Sequence, residues 1–204
     1  MTIELAEVII KMRSEVPTER SMLVGISGID ASGKGFVANN LAEQLSNFKT
    51  ALIGADQWLN LPHVRFGDSD HGRHFYENAI RLDEMFERLI LPLRQNRSID
   101  LTIDYTEETA TEFHSHHYLF SDIDIILLEG IFIFKKQFID LFDLKIWIDC
   151  PFDVALRRAI ARSQEGLSKD ETINAYKTIY FPAQQHYFVR DAPQKSVDMT
   201  LKNY

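Results

Sequence analysis

The chain has 204 residues, enough for one sizeable domain with a full core, and its 45% hydrophobic and 25% charged content, without repeats or biased tracts, excludes fibrous and disordered classes. A formal charge of -8 argues against a general nucleic-acid binder, which needs a basic face, while leaving room for a local basic pocket that holds phosphates. The single cysteine, Cys150, cannot close an intramolecular disulfide. The N-terminus lacks the layout of a signal peptide, and no apolar run approaches the roughly 18 residues of a membrane span. A cytoplasmic protein acting on a small molecule is expected, without nucleic-acid or membrane partners and with self-association into a homo-oligomer left open.

Leu5, Ile9 and Met12 predict an amphipathic packing helix over about residues 3–14, ending before Pro17. Residues 22–27 form a short apolar run, followed by a glycine-rich stretch and then a helix over 35–45. A second buried strand covers 50–54 and ends at Asp56, and a polar, histidine-bearing loop runs from Leu61 to about His74. Leu82, Met85, Phe86, Leu89, Ile90 and Leu93 mark a long helix. Strands are expected at 99–105 and 123–128, a helical piece at 138–142, a strand at 144–149 and a helix at 154–162. A polar turn over 163–170 leads to a helix bearing Tyr176, Tyr180 and Tyr187, and a last short strand lies near 197–201. Nearly continuous apolar strands alternating with helices imply a doubly wound α/β sheet covered on both faces, with its site at the carboxyl ends of the strands. Those ends carry residues 28–34, Asp56 and Glu129.

Gly28-Ile29-Asp30-Ala31-Ser32-Gly33-Lys34 matches the Walker A core, in which backbone N–H groups point at a phosphate and the lysine reaches the outer phosphates. It follows a strand and opens a helix whose positive end adds to the cradle, a context that weighs against a chance glycine-rich turn. Residues 28–36 are therefore the candidate nucleotide site. Gly35 stands where Ser or Thr would offer Mg²⁺ a hydroxyl. Loops of the adenylate kinase type also read Gly-Lys-Gly but continue with Thr, where this chain has Phe36.

Phosphoryl transfer to an alcohol needs a cation among the phosphates and a group that positions or deprotonates the acceptor. Asp56 is assigned to the acceptor hydroxyl, with a share in the metal site, and Glu129 to holding Mg²⁺ through water; the competing reading of each is a helix cap. Asp30 is read as solvated despite its place in the loop, and Asp149 as a cap before Pro151. Arg158 and Arg162, four residues apart on one helix face, are candidates for the departing phosphate, against the alternative of a solvated basic face; Arg157 points elsewhere. The segment from about 157 to 171 would then be a lid that keeps water from the γ-phosphate. His114, His116 and His117 fit no zinc spacing and are read as a solvated loop.

Gly25-Ile26-Ser27-Gly28 into Gly33-Lys34, Asp56, Leu128-Glu129-Gly130-Ile131, the run Phe142-Asp143-Leu144-Lys145-Ile146-Trp147-Ile148-Asp149, and Arg157-Arg158 together resemble the uridine kinase and phosphoribulokinase superfamily. Tyr180-Phe181-Pro182-Ala183-Gln184 and Ser196-Val197-Asp198-Met199 are similar to its closing helix and last strand. The resemblance implies a P-loop kinase of three-layer α/β fold in one domain with a small helical lid. It implies that ATP and Mg²⁺ are used to phosphorylate a hydroxyl of a nucleoside- or sugar-like acceptor, with Lys34 on the phosphates, Asp56 on the hydroxyl and Arg158 and Arg162 in the lid. Phe75-Tyr76-Glu77-Asn78 replaces the family's Asp-His-Pro, Ile103-Asp104-Tyr105 with Glu108 replaces Tyr-Asp-Phe with a following His, and Gln164-Glu165-Gly166-Leu167 lacks the usual lid arginines. Tyr76, Glu77, Arg73, His71, Asp104 and Tyr105 flank these departures and become acceptor-pocket candidates. The alternative function is a regulatory or vestigial P-loop module that holds nucleotide without efficient transfer; an ATPase coupled to motion would need more chain.

Overall fold

The computed structural model describes residues 2–67, 69–163 and 166–204. Among them, strands β1 (Met22–Gly28), β2 (Thr50–Gly54), β5 (Ile125–Glu129), β6 (Leu144–Asp149) and β7 (Met199–Lys202) form a parallel sheet in the order β2-β5-β1-β6-β7. Strands β3 (Ile99–Tyr105) and β4 (His114–Phe120) pair as a separate antiparallel hairpin. The central strands are apolar throughout because both faces are covered. Leu23, Ile126, Leu128 and Trp147 face one core, closed by the helix over 82–96 and by α9 (Phe181–Asp191). Val24, Ile26, Ile125, Leu127, Ile146 and Ile148 face the other, closed by α1 (Thr2–Glu15) and α2 (Lys34–Gln44), with Leu5, Ile9, Val37 and Leu41 fully buried. The result is the expected three-layer α/β fold. No helix of the described residues is long and apolar enough to cross a membrane.

Sheet register brings the site together. Gly54 of β2 and Ile26 of β1 both lie opposite Glu129 of β5, so three strands end side by side. The start of β1 is fixed by Asp143, whose carboxylate accepts from both terminal nitrogens of Arg20 at 2.8 Å, from the Leu23 N–H at 2.8 Å and from Arg94 at 3.1 Å.

The long helix is α5 (Leu82–Met85), a π-turn (Phe86–Ile90) and α6 (Leu91–Asn96), and a second π-turn (Tyr176–Tyr180) joins α8 (Lys169–Ala175) to α9. Each π-turn stops just ahead of a proline, Pro92 or Pro182. The missing N–H and the ring's clash with the carbonyl four residues back disrupt the α ladder there, and the wider turn accommodates it.

Several expectations are corrected. The segment read as a loop from 61 to 74 contains α3 (Pro62–Arg65) and the start of α4 (His71–Asn78). Residues 114–117 begin strand β4, with the His116 ring packed 4.5 Å from Tyr118 and 5.7 Å from Tyr105; the run of polar rings hid a strand held by cross-strand and ring contacts. Residues 138–142 hold only a 3-10 turn (Ile139–Leu141), and the last strand runs 199–202, with Asp198 instead accepting from the Lys145 N–H. After α7 (Phe152–Arg162) the proposed lid turn includes 164–165, which lie outside the described residues; beyond it a Ser168–Glu171 capping box opens α8.

Candidate active site

The phosphate loop leaves β1 at Gly28 and enters α2 at Lys34. A Cβ on Gly28 would stand 2.6 Å from the Ile148 carbonyl oxygen, so only glycine lets β1 and β6 close here. Gly33 has φ 93°, and a side chain there would strike the Asn203 amide. Lys34 is buried and donates from Nζ to the Ile29 carbonyl at 3.0 Å, bent back along the loop it serves.

The loop is braced by late parts of the chain. Asn203, just past β7, donates to the Ser32 carbonyl at 2.7 Å and accepts from Arg158 at 3.3 Å, while Arg158 also reaches that carbonyl at 3.3 Å. Arg162 lies 3.7 Å from the Asp30 carboxylate, and the Tyr176 hydroxyl donates to the same carboxylate. Asp30 is thus not the solvated loop residue expected from the sequence, because α7 and the π-turn both fasten to it. Arg157 faces solvent and pairs with Asp153 at 2.8 Å.

Asp30, Lys34, Gly35, Phe36, Asp56, Glu129, Arg158 and Arg162 line one open cleft of about 440 Å³. Gly28, Ile29 and Ser32 lie buried behind it and Ala31 and Gly33 on its wall, while Phe36 stands at the lip, 73% exposed. Asp56 sits in a 3-10 turn (Ala55–Trp58) whose N-cap is Gly54, with no side-chain cap, so the capping alternative does not describe it. Its carboxylate is open to the cleft, yet protein surrounds it on the remaining sides. That desolvation raises its pKa, against the pull of Lys34 and with Asp30 adding to the rise. Glu129 is pushed up to about 7, again by desolvation first, with Lys34 opposing and Asp56 and Asp30 reinforcing. Burial at the strand ends thus outweighs the pull of Lys34 on both carboxylates. Asp149, read as a cap, caps nothing: α7 starts from Pro151, and the Asp149 carbonyl receives the Asn203 N–H at 2.9 Å.

A second cleft of about 290 Å³ adjoins the first at Asp56 and is lined by Gln57, Leu59, Tyr105, Glu107 and Glu108. Tyr105 is therefore brought to Asp56. Other acceptor candidates are not. Tyr76 is buried against Phe132 and Tyr187 with its hydroxyl on Asp191, which makes it a core residue. Arg73 pairs with Glu77 at 3.0 Å beside a shallow surface dip shared with Ser69, Asp70 and His74. His71 is exposed and contacts the Gly67 carbonyl, and the Asp104 side chain is exposed on β3. His71, Arg73 and Glu77 are exposed on α4 and Asp104 on β3, which the sequence departures alone could not reveal. In their place stand Arg65, Tyr180 and Gln184, which share a recess with Asp56. Arg65 gave no signal because its segment read as loop; Tyr180 and Gln184 lay in the stretch resembling the closing helix.

The family model described as Phosphoribulokinase / Uridine kinase family matches residues 23–201. A uridine kinase of Streptococcus gordonii is 31% identical over 175 residues, covering 83% of this chain and 81% of the relative. A uridine kinase of Lactococcus lactis subsp. cremoris is 28% identical over 176 residues, covering 84% and 83%. Among solved structures, a possible uridine kinase from Bacillus stearothermophilus superposes with a TM-score of 0.75 at 20% identity, covering 98% of this chain and 97% of that one. With its phosphate loop and strand-end acids inside the matched region, the chain belongs to the phosphoribulokinase and uridine kinase family.

Proposed function

We propose that the cleft transfers the γ-phosphate of ATP to a hydroxyl of a small nucleoside- or sugar-like molecule, with Mg²⁺ bound alongside. The observation that carries this reading is the meeting of Lys34, Asp56, Glu129, Arg158 and Arg162 around a single cleft at the carboxyl edge of the sheet. Relatives named as kinases favour transfer over a module that only holds nucleotide.

Backbone N–H groups of residues 28–35 and the Lys34 ammonium would hold the phosphates, and Arg158 and Arg162 would face the charge that builds on the transferred group. Asp56, at the junction of the two clefts, would take the acceptor's proton as the alcohol oxygen bonds to the γ-phosphorus and the bond to the bridging oxygen breaks, releasing ADP. The donors present suit Mg²⁺: Glu129 and Asp56 are hard oxygen ligands, and Mg²⁺ commonly takes one or two carboxylates together with phosphate oxygens and water. Bound there, the ion would screen charge between the phosphates.

The test is turnover of Asp56→Asn with an acceptor identified by screening. A fall of roughly a hundredfold or more at nearly unchanged ATP affinity is expected, in line with the 10²–10⁴ typical of general bases. Unchanged turnover in the folded variant removes Asp56 from this role, and ATP binding no weaker in Lys34→Ala removes the phosphate-loop reading.

A further inference from the structure

Beside Asp56 lies an enclosed recess between α3, α9 and the π-turn, lined by Arg65, Phe75, Glu108, Tyr180 and Gln184. Two of these side chains hold unmatched polar atoms. Arg65 is only 2% exposed; it donates from Nη2 to the Glu108 carbonyl at 2.6 Å and lies 5.3 Å from the centre of the Phe66 ring, yet its Nε is buried with no partner. Gln184 is 1% exposed, and its Oε1 is likewise buried without a partner. Buried polar atoms are rarely left unpaired, because each unpaired group costs about 1–3 kcal/mol. An unpaired donor and an unpaired acceptor on two side chains that line one recess, next to the residue assigned to the reacting hydroxyl, call for one ligand that supplies both once the side chains turn toward it.

Space and charge narrow that ligand. The enclosed volume is about 30 Å³, and a water-sized group needs about 10–15 Å³ on this measure, so the recess admits one or two hydroxyl-sized groups while the larger cleft under Tyr105 takes the remainder. A hydroxyl can accept from Arg65 and donate to Gln184, whereas a carboxylate or phosphate only accepts. The recess already sets Asp30, Asp56 and Glu108 against Arg65 and Arg162. Among the described residues lining the outer cleft there are Asp56, Glu107 and Glu108 and no Lys or Arg. An anionic acceptor would therefore meet net negative charge in both places.

Resting on the kinase reading above, we infer that Arg65 and Gln184 are the acceptor-selecting residues, and that they select a neutral polyhydroxy compound whose second hydroxyl enters their recess while its first reaches Asp56. Compounds already bearing phosphate or carboxylate are rejected.

The experiment measures binding by titration calorimetry on the full chain loaded with Mg²⁺ and a non-hydrolysable ATP analogue, using glycerol, ribose, glucose, uridine and ribose 5-phosphate as probes. At least one neutral polyol is expected to bind, with ribose 5-phosphate at least tenfold weaker than the best of them. Gln184→Met and Arg65→Lys should each weaken that polyol at least tenfold and leave the ATP analogue unaffected. Equal or tighter binding of ribose 5-phosphate, binding by no neutral polyol, or unchanged affinity in a folded variant overturns the inference. Should Arg65→Lys fail to fold, Gln184→Met and the charge comparison still decide. Replacing the analogue with ATP in the same samples separates the two readings: binding without phosphate transfer sinks the kinase assignment and leaves the selectivity intact.

Discussion

Gly35 shows how a single position can depart from a motif without emptying the site. A Cβ built there meets only Glu129 Oε1, at 3.8 Å, which is ordinary contact, so nothing steric demands glycine. A serine would point its hydroxyl toward the carboxylate assigned to the cation and restore the oxygen ligand other phosphate loops carry. Gly35→Ser is expected to keep activity and lower the Mg²⁺ concentration needed for half-maximal rate several-fold, read from a magnesium titration of turnover. Loss of activity in a folded variant would mean that the phosphates approach the Gly35 backbone too closely for any side chain. Gly28 behaves oppositely, since its side-chain space is filled by the Ile148 carbonyl. The motif made both glycines visible in the sequence, but not which one is replaceable, because that depends on a neighbouring strand about 120 residues away.

At the scale of elements, β7 matters less for the four residues it adds to the sheet edge than for the asparagine just past its end. It places Asn203 against the phosphate loop, where its amide joins the Ser32 carbonyl to Arg158. Asn203→Ala should therefore weaken ATP binding a few-fold and slow transfer through a less well-held Arg158. The melting temperature should fall only modestly, since the two part-buried hydrogen bonds of its side chain contribute only about 1 kcal/mol each. Calorimetry and a thermal melt on one preparation check this; unchanged ATP affinity would reduce Asn203 to a strand end. Most elements were legible from apolar spacing: α1, the long helix over 82–96 and the four inner or early strands of the sheet. The elements that could not be read depend on contacts at a distance. β4 is a strand because β3 pairs with it, and α3 and α4 carry too few apolar residues to show a period. The phosphate loop, Asp56 and Glu129 lay at strand ends and could be read; Arg65 could not, since its importance arises only when α3 is folded against the hairpin tip.

For the whole molecule, the balance of charge at the sheet edge sets a pH response. Burial pushes the Glu129 carboxyl up to about 7 in the folded state, above the ordinary glutamate value of about 4.3 that applies in the unfolded chain. The folded protein therefore binds more protons in that interval. Stability contributed by Glu129 is complete below the unfolded value and is lost as pH rises toward 7. Thermal melts of the ligand-free protein across pH 4.5–8 should show the wild type losing ground to Glu129→Gln over this window. Parallel profiles for the two proteins would refute the assignment. Asp143 has the opposite sign: despite burial, Arg20 and the Leu23 N–H hold its pKa below the ordinary aspartate value, so its contribution disappears only in acid.

The strand order has a kinetic consequence. β1, the middle strand, is made early, but its two neighbours are β5 and β6, about 100 and 120 residues further along, and β2 must also wait for β5. A growing chain thus carries two apolar strands with nothing to pair them until more than half of it has been made. Such non-local parallel pairing costs loop-closure entropy before any contact repays it, which slows folding and prolongs exposure of sticky edges. The same wide separation that gathers the phosphate loop, Asp56 and Glu129 at one edge makes the sheet wait on the later half of the chain before it can close.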